Sequence, residues 1–482
     1  MSSLDFFADQ GKFTQGDFTY TVSAGKATLV AFNSDYEGGL IIPSSLGGCP
    51  VVAIGDGAFF ECRFLTSVEL PEGVTSLGNG AFSRCYALAS VKLPKGVASI
   101  GEDAFFECRS LTSAKIPKGV TAIEFGTFCG CRSLTSVDIP EGVTTIDDVA
   151  FERCCSLTSV KLPSSLASIG EEAFTECSSL TSVMLSEGLT AIGDGAFKGC
   201  SALTSVEIPS SVTSIGYEAF LGCSALTSAE ILEGVTAIGY GAFAGCCSLW
   251  ITVSPDNALY ASLEGCLFNK DYTELVAAPG VKGDYIIPKS VTAIGDGAFF
   301  GCRALASVKI PASVTSIGEE TFFGCSSLAI TVCSDNASYA SLEGCLFNKD
   351  YTKLLSAPGV KGDYIIPKGV TAIGDGAFSG CCALTSVTIP EGVTSIGDEA
   401  FTCCAALTMV TIPASMVSIG DWAFGDCDAL TSVVFLGRPC KPGRKIAIRG
   451  TGIYSAAYAV AWEAVLEADS TWRGLEMVCA EA

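Results

Sequence analysis

Residues 54–76 read Ile-Gly-Asp-Gly-Ala-Phe-Phe-Glu-Cys-Arg-Phe-Leu-Thr-Ser-Val-Glu-Leu-Pro-Glu-Gly-Val-Thr-Ser, and the same text begins again 23 residues later at Leu77. Further copies open at Ile100, Ile123, Ile146, Ile169, Ile192, Ile215 and Ile238, resume at Ile294 and Ile317, and resume again at Ile373, Ile396 and Ile419. Fourteen copies of one pattern, I-G-x-x-A-F-x-x-C-x-x-L-x-S-V-x-I-P-x-x-V-x-x, decide the architecture before any other feature is read.

The spacing within a copy has a physical meaning. Val68 and Leu70 stand two apart and so share one side of a strand, with Glu69 pointing to the other. Pro71 ends that strand because it cannot donate to a continuing ladder. Val74 and Leu77 mark a second short extended piece, turned by Gly78. Ala81-Phe82 to Cys85 is too short for a stable helix and reads as one helical or 3₁₀ turn. One such coil cannot bury its own apolar residues; stacking places Ile on Ile, Phe on Phe and Leu on Leu in a continuous core. With strand spacing of ~4.8 Å, about 16 coils would extend roughly 80 Å.

The period breaks twice, with steps of 56 residues between Ile238 and Ile294 and between Ile317 and Ile373. Both inserts carry ASLEGCLFNKDYT, at 261–273 and 340–352, so 238–316 and 317–395 form a larger repeat of 79 residues. Cys266-Leu267-Phe268, Asn269-Lys270-Asp271 and Glu274-Leu275-Val276 read as a hairpin, after which Tyr285-Ile286-Ile287-Pro288 re-enters the coil strand. The expected division is 1–53, an N-terminal hairpin cap (Phe18–Val22 with Ala27–Phe32) and first coil; 54–249, nine tandem repeats; 250–293, an insert; 294–328, two repeats; 329–372, a second insert; 373–436, three repeats; and 437–482, a C-terminal cap. In that last segment Ser455 to Asp469 reads as a helix with Trp462 toward the core.

Asp and Glu number 51 against 28 Lys and Arg, a formal charge of −23. Such a surface repels phosphate backbones, so nucleic acid is not an expected partner. The one basic cluster is Arg438, Lys441, Arg444, Lys445 and Arg449. No apolar run is long enough for a membrane-spanning helix, and MSSLDFFADQGKFTQGDF lacks the pattern of a secretory signal.

The string L-T-S-V-x-I-P-x-x-V-T-S-I-G-x-x-A-F-x-x-C resembles the BspA-type leucine-rich repeat over residues 18–435, inserts included. The resemblance implies a repeat solenoid, mainly β with short 3₁₀ or helical turns: a right-handed leucine-rich-repeat coil stack, curved or rod-like and capped at both ends. It also implies an extracellular or cell-surface scaffold, since better-studied members are surface adhesins.

Chemistry-bearing residues fall into the repeat. Fourteen of the 25 cysteines form one column: Cys62, Cys85, Cys108, Cys131, Cys154, Cys177, Cys200, Cys223, Cys246, Cys302, Cys325, Cys381, Cys404 and Cys427. A small apolar side chain with a weak S–H donor suits a buried ladder position, and parallel ladder side chains make poor disulfides. Cys155, Cys247, Cys382 and Cys403 fall in the turns. With no histidine in the chain, a mixed zinc site lacks a ligand and Ser-His-Asp or Cys-His catalysis lacks its base, and neither metal nor cofactor is expected. Glu171-Glu172 and Glu319-Glu320 sit in solvent-facing turns, not as an acid–base pair.

The candidate ligand-facing row is Glu69, Lys92, Lys115, Asp138, Lys161, Met184, Glu207 and Glu230, continued by Lys309, Thr388, Thr411 and Val434, beside a nearly constant serine row. Variation confined to one outward row of otherwise copied units suits recognition of a protein or glycan, and the chain reads as a non-catalytic, adhesin-like scaffold. The other reading is a structural or self-associating repeat protein without a dedicated ligand. Regular threonines such as Thr75, Thr121 and Thr144 also suggest a crystal-surface binder, which Ala98 and Ala167 interrupt.

Overall fold

The computed structural model describes residues 11–442, 451–455, 471–472 and 475–480. The chain divides into two compact units, Met1–Leu259 and Tyr260–Ala482.

In the first unit each coil contributes two short strands to two parallel ladders. On one side Ser113–Lys115 pairs with Ser136–Asp138, and Ser159–Lys161 with Ser182–Met184 and then Ser205–Glu207. On the other, Ala122–Ile123, Thr145–Ile146, Ser168–Ile169 and Ala191–Ile192 pair in the same way. These partners are one period apart, so a single register repeats. Inward Val and Ile are buried while their neighbours alternate outward, the pattern a half-buried strand requires.

The third side corrects the helical or 3₁₀ turn expected from Ala81 to Cys85. N–H groups there alternate between two destinations. Ala58, Phe60 and Cys62 donate back to Gly55, Gly57 and Phe59, whereas Gly57, Phe59 and Glu61 donate to Asn79, Ala81 and Ser83 of the next coil at 2.8, 2.8 and 2.9 Å. A helix would direct every N–H along itself; here half of them join the coils. The alternation places Gly57 and Glu61 at φ of 58°. A non-glycine residue in that left-handed region is strained, and the bonds to the next coil hold it there. Among the described residues there is no helix.

The core is columnar. Phe59, Phe82, Phe105, Phe128, Phe151, Phe174, Phe197, Phe220 and Phe243 are fully buried or nearly so. Successive rings from Phe59 to Phe243 stack with centroids 4.8 to 5.6 Å apart. Before the first repeat, Phe18–Ser23 and Lys26–Phe32 form the expected antiparallel hairpin, preceded by a further strand, Phe13–Gln15. Lys26–Phe32 pairs parallel with Cys49–Ile54, which links the hairpin to the coils, and Gly38–Ile41 begins the other ladder.

In the second unit the inserts are three-stranded meanders. Tyr260–Leu263, Cys266–Asn269 and Glu274–Ala277 run antiparallel, and the last pairs parallel with Ala293–Ile294. Tyr339–Leu342, Cys345–Asn348 and Lys353–Ser356 repeat this. The expected hairpin is thus joined by one more strand on its N-terminal side. Gly283–Ile286 and Gly362–Ile365 then re-enter the coil ladder. Strand pairing continues past Phe435, where the repeat pattern stops: Ser432–Phe435 pairs with Thr451–Ser455, and that strand with Leu475–Ala480. Of the expected helix Ser455–Asp469, Ser455 closes a strand, and 456–469, with Trp462, lie outside the described residues.

Candidate functional site

The outward row is built by strand alternation. With Val137 or Val160 turned into the core, Asp138 and Lys161 must face solvent, and both are exposed. Lys92, Lys115, Met184, Glu207 and Glu230 are exposed too, and Glu69 is half-buried. Parallel register places these residues one above another. The Lys92 ammonium pairs with the Glu69 carboxylate, and Lys115 lies 3.8 Å from Asp138. Lys161, Met184 and Glu207 follow in register, and Glu230 aligns with Thr252. Lys309 belongs to the second unit, between Ile286 and Thr331, and Thr388, Thr411 and Val434 form a later stretch there after Ile365.

Five exposed apolar residues in these rows have no counterpart among the candidate site residues. Ile41, Ile286 and Ile365 are 74%, 70% and 69% exposed in the charged row, and Trp250 and Met409, which continue the serine rows of the first and second units, are 56% and 49% exposed. The second copy of the insert carries Ala329 where the first carries Trp250, and that mismatch within duplicated text was the available signal.

The cysteine column repeats one geometry. From Cys85 to Cys246 each thiol of the column donates to the carbonyl at the Phe position of the preceding coil: Cys85 to Phe59 at 3.0 Å, Cys108 to Phe82 at 3.1 Å, Cys177 to Phe151 at 3.2 Å and Cys246 to Phe220 at 3.1 Å. After the inserts the acceptors are Ala278 and Ala357 instead, for Cys302 and Cys381. Burial pushes the Cys108, Cys131 and Cys177 thiols well up, so they stay protonated and act as donors. Of the turn cysteines Cys382 is exposed, while Cys155, Cys247 and Cys403 are half-buried.

The carboxylates of the turns are also explained by the backbone. Asp194 Oδ1 accepts the Tyr217 N–H at 2.7 Å, Asp148 that of Glu171 at 2.6 Å and Asp296 that of Glu319 at 2.8 Å. Gly216 has to lack a side chain here, since a Cβ would stand 2.5 Å from both Asp194 N and Oδ1. Glu172 and Glu320 take left-handed φ at the same corners. In the second unit Asp375, Asp398 and Asp421 line an open groove of about 440 Å³ with Lys353 and Lys441, but Asp375 and Asp398 each spend an oxygen on the next coil's N–H. Among the described residues no three His, Cys, Asp or Glu side chains are grouped to hold a metal ion, and no helix is long and apolar enough to cross a membrane.

Comparison with known families gives a match to the BspA type leucine-rich repeat region, a unit of six copies, over residues 52–160, 144–270, 283–356 and 362–440. Among solved structures, a leucine-rich cell surface protein of Faecalibacterium prausnitzii A2-165 is 30% identical, covering 89% of this chain and 95% of its own, with a TM-score of 0.47. A leucine-rich repeat protein of Bacteroides ovatus is 22% identical, covering 97% and 100%, with a TM-score of 0.45. Curated proteins gave no match.

Proposed function

Since the chain belongs to the BspA-type leucine-rich repeat family, we propose that it is a non-catalytic scaffold whose outward strand row recognises a protein or glycan, in the manner of an adhesin at a cell surface. One observation carries the reading. The core columns are copied from coil to coil, while the exposed row changes sign and character from Lys92 to Asp138 to Met184 to Glu207. A buried column is held constant by packing, whereas a solvent-facing row is held to nothing except what it touches. The resemblance to surface adhesins supports the location.

The test is protease shaving of intact cells of the source organism, followed by a cell- and matrix-binding assay with purified protein. Removal of the protein by external protease and saturable binding are the expected results. Full protection, or no saturable binding, overturns the reading. A second reading, self-association, draws on the exposed Ile286 and Ile365 at equivalent places in the duplicated blocks. Concentration-dependent assembly in sedimentation, abolished by Ile286→Ser with Ile365→Ser, would favour it.

A further inference from the structure

Trp250 is the single aromatic residue in the outward ladder strands of the first unit, and it is 56% exposed. Register fixes its surroundings. Ser228 lies beside it, Glu230 pairs with Thr252 two residues along, and Glu207 stands one coil further back, next to Met184, which is 70% exposed. Three coil steps of ~4.8 Å separate Met184 from the Trp250 coil, so the two apolar groups flank the glutamates at about 14 Å along the stack.

The glutamates differ from the other acids of the row. Glu69 faces Lys92 and Asp138 faces Lys115 in the adjacent coil, but Glu207 and Glu230 have each other as row neighbours. Among the described residues neither forms an ion pair. Like charges on adjacent strands repel, and a cation placed between them relieves the repulsion. An indole face attracts the same cation. Trp and Met are also residue types enriched where proteins meet.

We propose that Met184, Glu207, Glu230 and Trp250 form a docking surface for an extended basic and apolar segment of a partner protein, with an arginine or lysine over the Trp250 ring beside Glu230. This rests on the strand face being a recognition surface and names where on it, and for what chemistry. Ala329 at the equivalent place of the second insert confines the surface to the first unit.

The experiment is an anisotropy titration of the full chain with a labelled nonapeptide alternating arginine and leucine. A chain of formal charge −23 attracts any cation, so the deciding variant is the charge-neutral Trp250→Ala. It is expected to weaken binding about tenfold, as is Glu207→Gln with Glu230→Gln, while Lys118→Ala, at an exposed turn outside the row, leaves binding unchanged. Melting temperatures equal to the parent's exclude unfolding, since the altered side chains are exposed. Equal affinity of Trp250→Ala, or no saturable binding, overturns the proposal. In the cell-binding assay, failure of the unmodified protein overturns the recognition reading, whereas equal binding by unmodified and Trp250→Ala protein overturns this assignment alone.

Discussion

The Tyr364 hydroxyl donates to the Cys345 thiol at 3.4 Å, joining the strand that re-enters the coil ladder to the middle strand of the insert 19 residues earlier. Both groups are buried and both titrate above their ordinary values; desolvation is the leading cause for each, and the proton shared between them is retained. The same partnership links Tyr285 to Cys266, whose thiol burial pushes up to about 11.

Tyr364→Phe keeps the ring and removes the donor. The expected loss is about 1 kcal/mol, the net contribution of one buried hydrogen bond. It should show as faster amide exchange confined to Cys345–Asn348 and Gly362–Ile365. Unchanged exchange there would mean that packing alone holds the insert.

Stability should fall in alkali. Burial raises Cys129 to about 12 and Cys440 to about 11, and lifts Cys108, Cys131 and Cys177 as well. An unfolded thiol releases its proton near ~8.5, so the folded state retains protons that the unfolded state has lost. The stabilisation is complete below about pH 8.5 and is lost as pH climbs toward the folded values. A melting temperature that declines steadily from about pH 8 to about pH 10 is the expected result, and a flat profile would refute it.

Cys177 tests what the ladder position requires. It is fully buried and donates to the Phe151 carbonyl at 3.2 Å. Serine keeps a donor in a smaller volume, whereas valine removes it and leaves that carbonyl short of a partner. Cys177→Val should therefore cost more than Cys177→Ser, by about 1 kcal/mol in denaturant unfolding; the reverse order would show that volume alone matters.

Phe174 stacks on Phe151 at 5.2 Å and on Phe197 at 5.4 Å. Phe174→Ala should cost about 3–5 kcal/mol. Because each coil is stabilised by its immediate neighbours, the loss should appear as exchange of amides in the adjoining coils before the rest of the first unit. Uniform exchange throughout would show a single cooperative block.

The repeat made the ladders, the columns of Phe and Cys and the re-entry strands legible, because burial imposes a residue type at each fixed offset. The turn segment was less legible. Ala81 to Cys85 has the length of one helical turn, and nothing in its composition says that alternate N–H groups leave for the next coil; that choice depends on a neighbour already being stacked. Glu61 and Arg84, residues rarely left-handed, take φ of 58° and 60° for the same reason. Strand pairing beyond Phe435 was hidden because Thr451–Ser455 keeps the pleat without the repeat's text. Trp250 was missed because a row of serines and charges was read for its average, and a single exception does not alter an average.

The carbonyls that accept each coil's ladder bonds are supplied by a copy of the same text. A donor is satisfied without regard to which copy supplies its acceptor: the Thr144 N–H finds Thr121, and the Thr213 N–H finds Thr190, at the same 2.9 Å. Chain length is therefore a free variable in whole periods and a forbidden one in fractions. Excising residues 170–192 would join Ile169 to Gly193 and return every donor to an equivalent acceptor, whereas deleting one residue would turn an inward strand set outward. Unequal recombination between copies can lengthen or shorten such a gene product without passing through a misfolded intermediate, and the tandem 79-residue blocks are the mark such an event leaves.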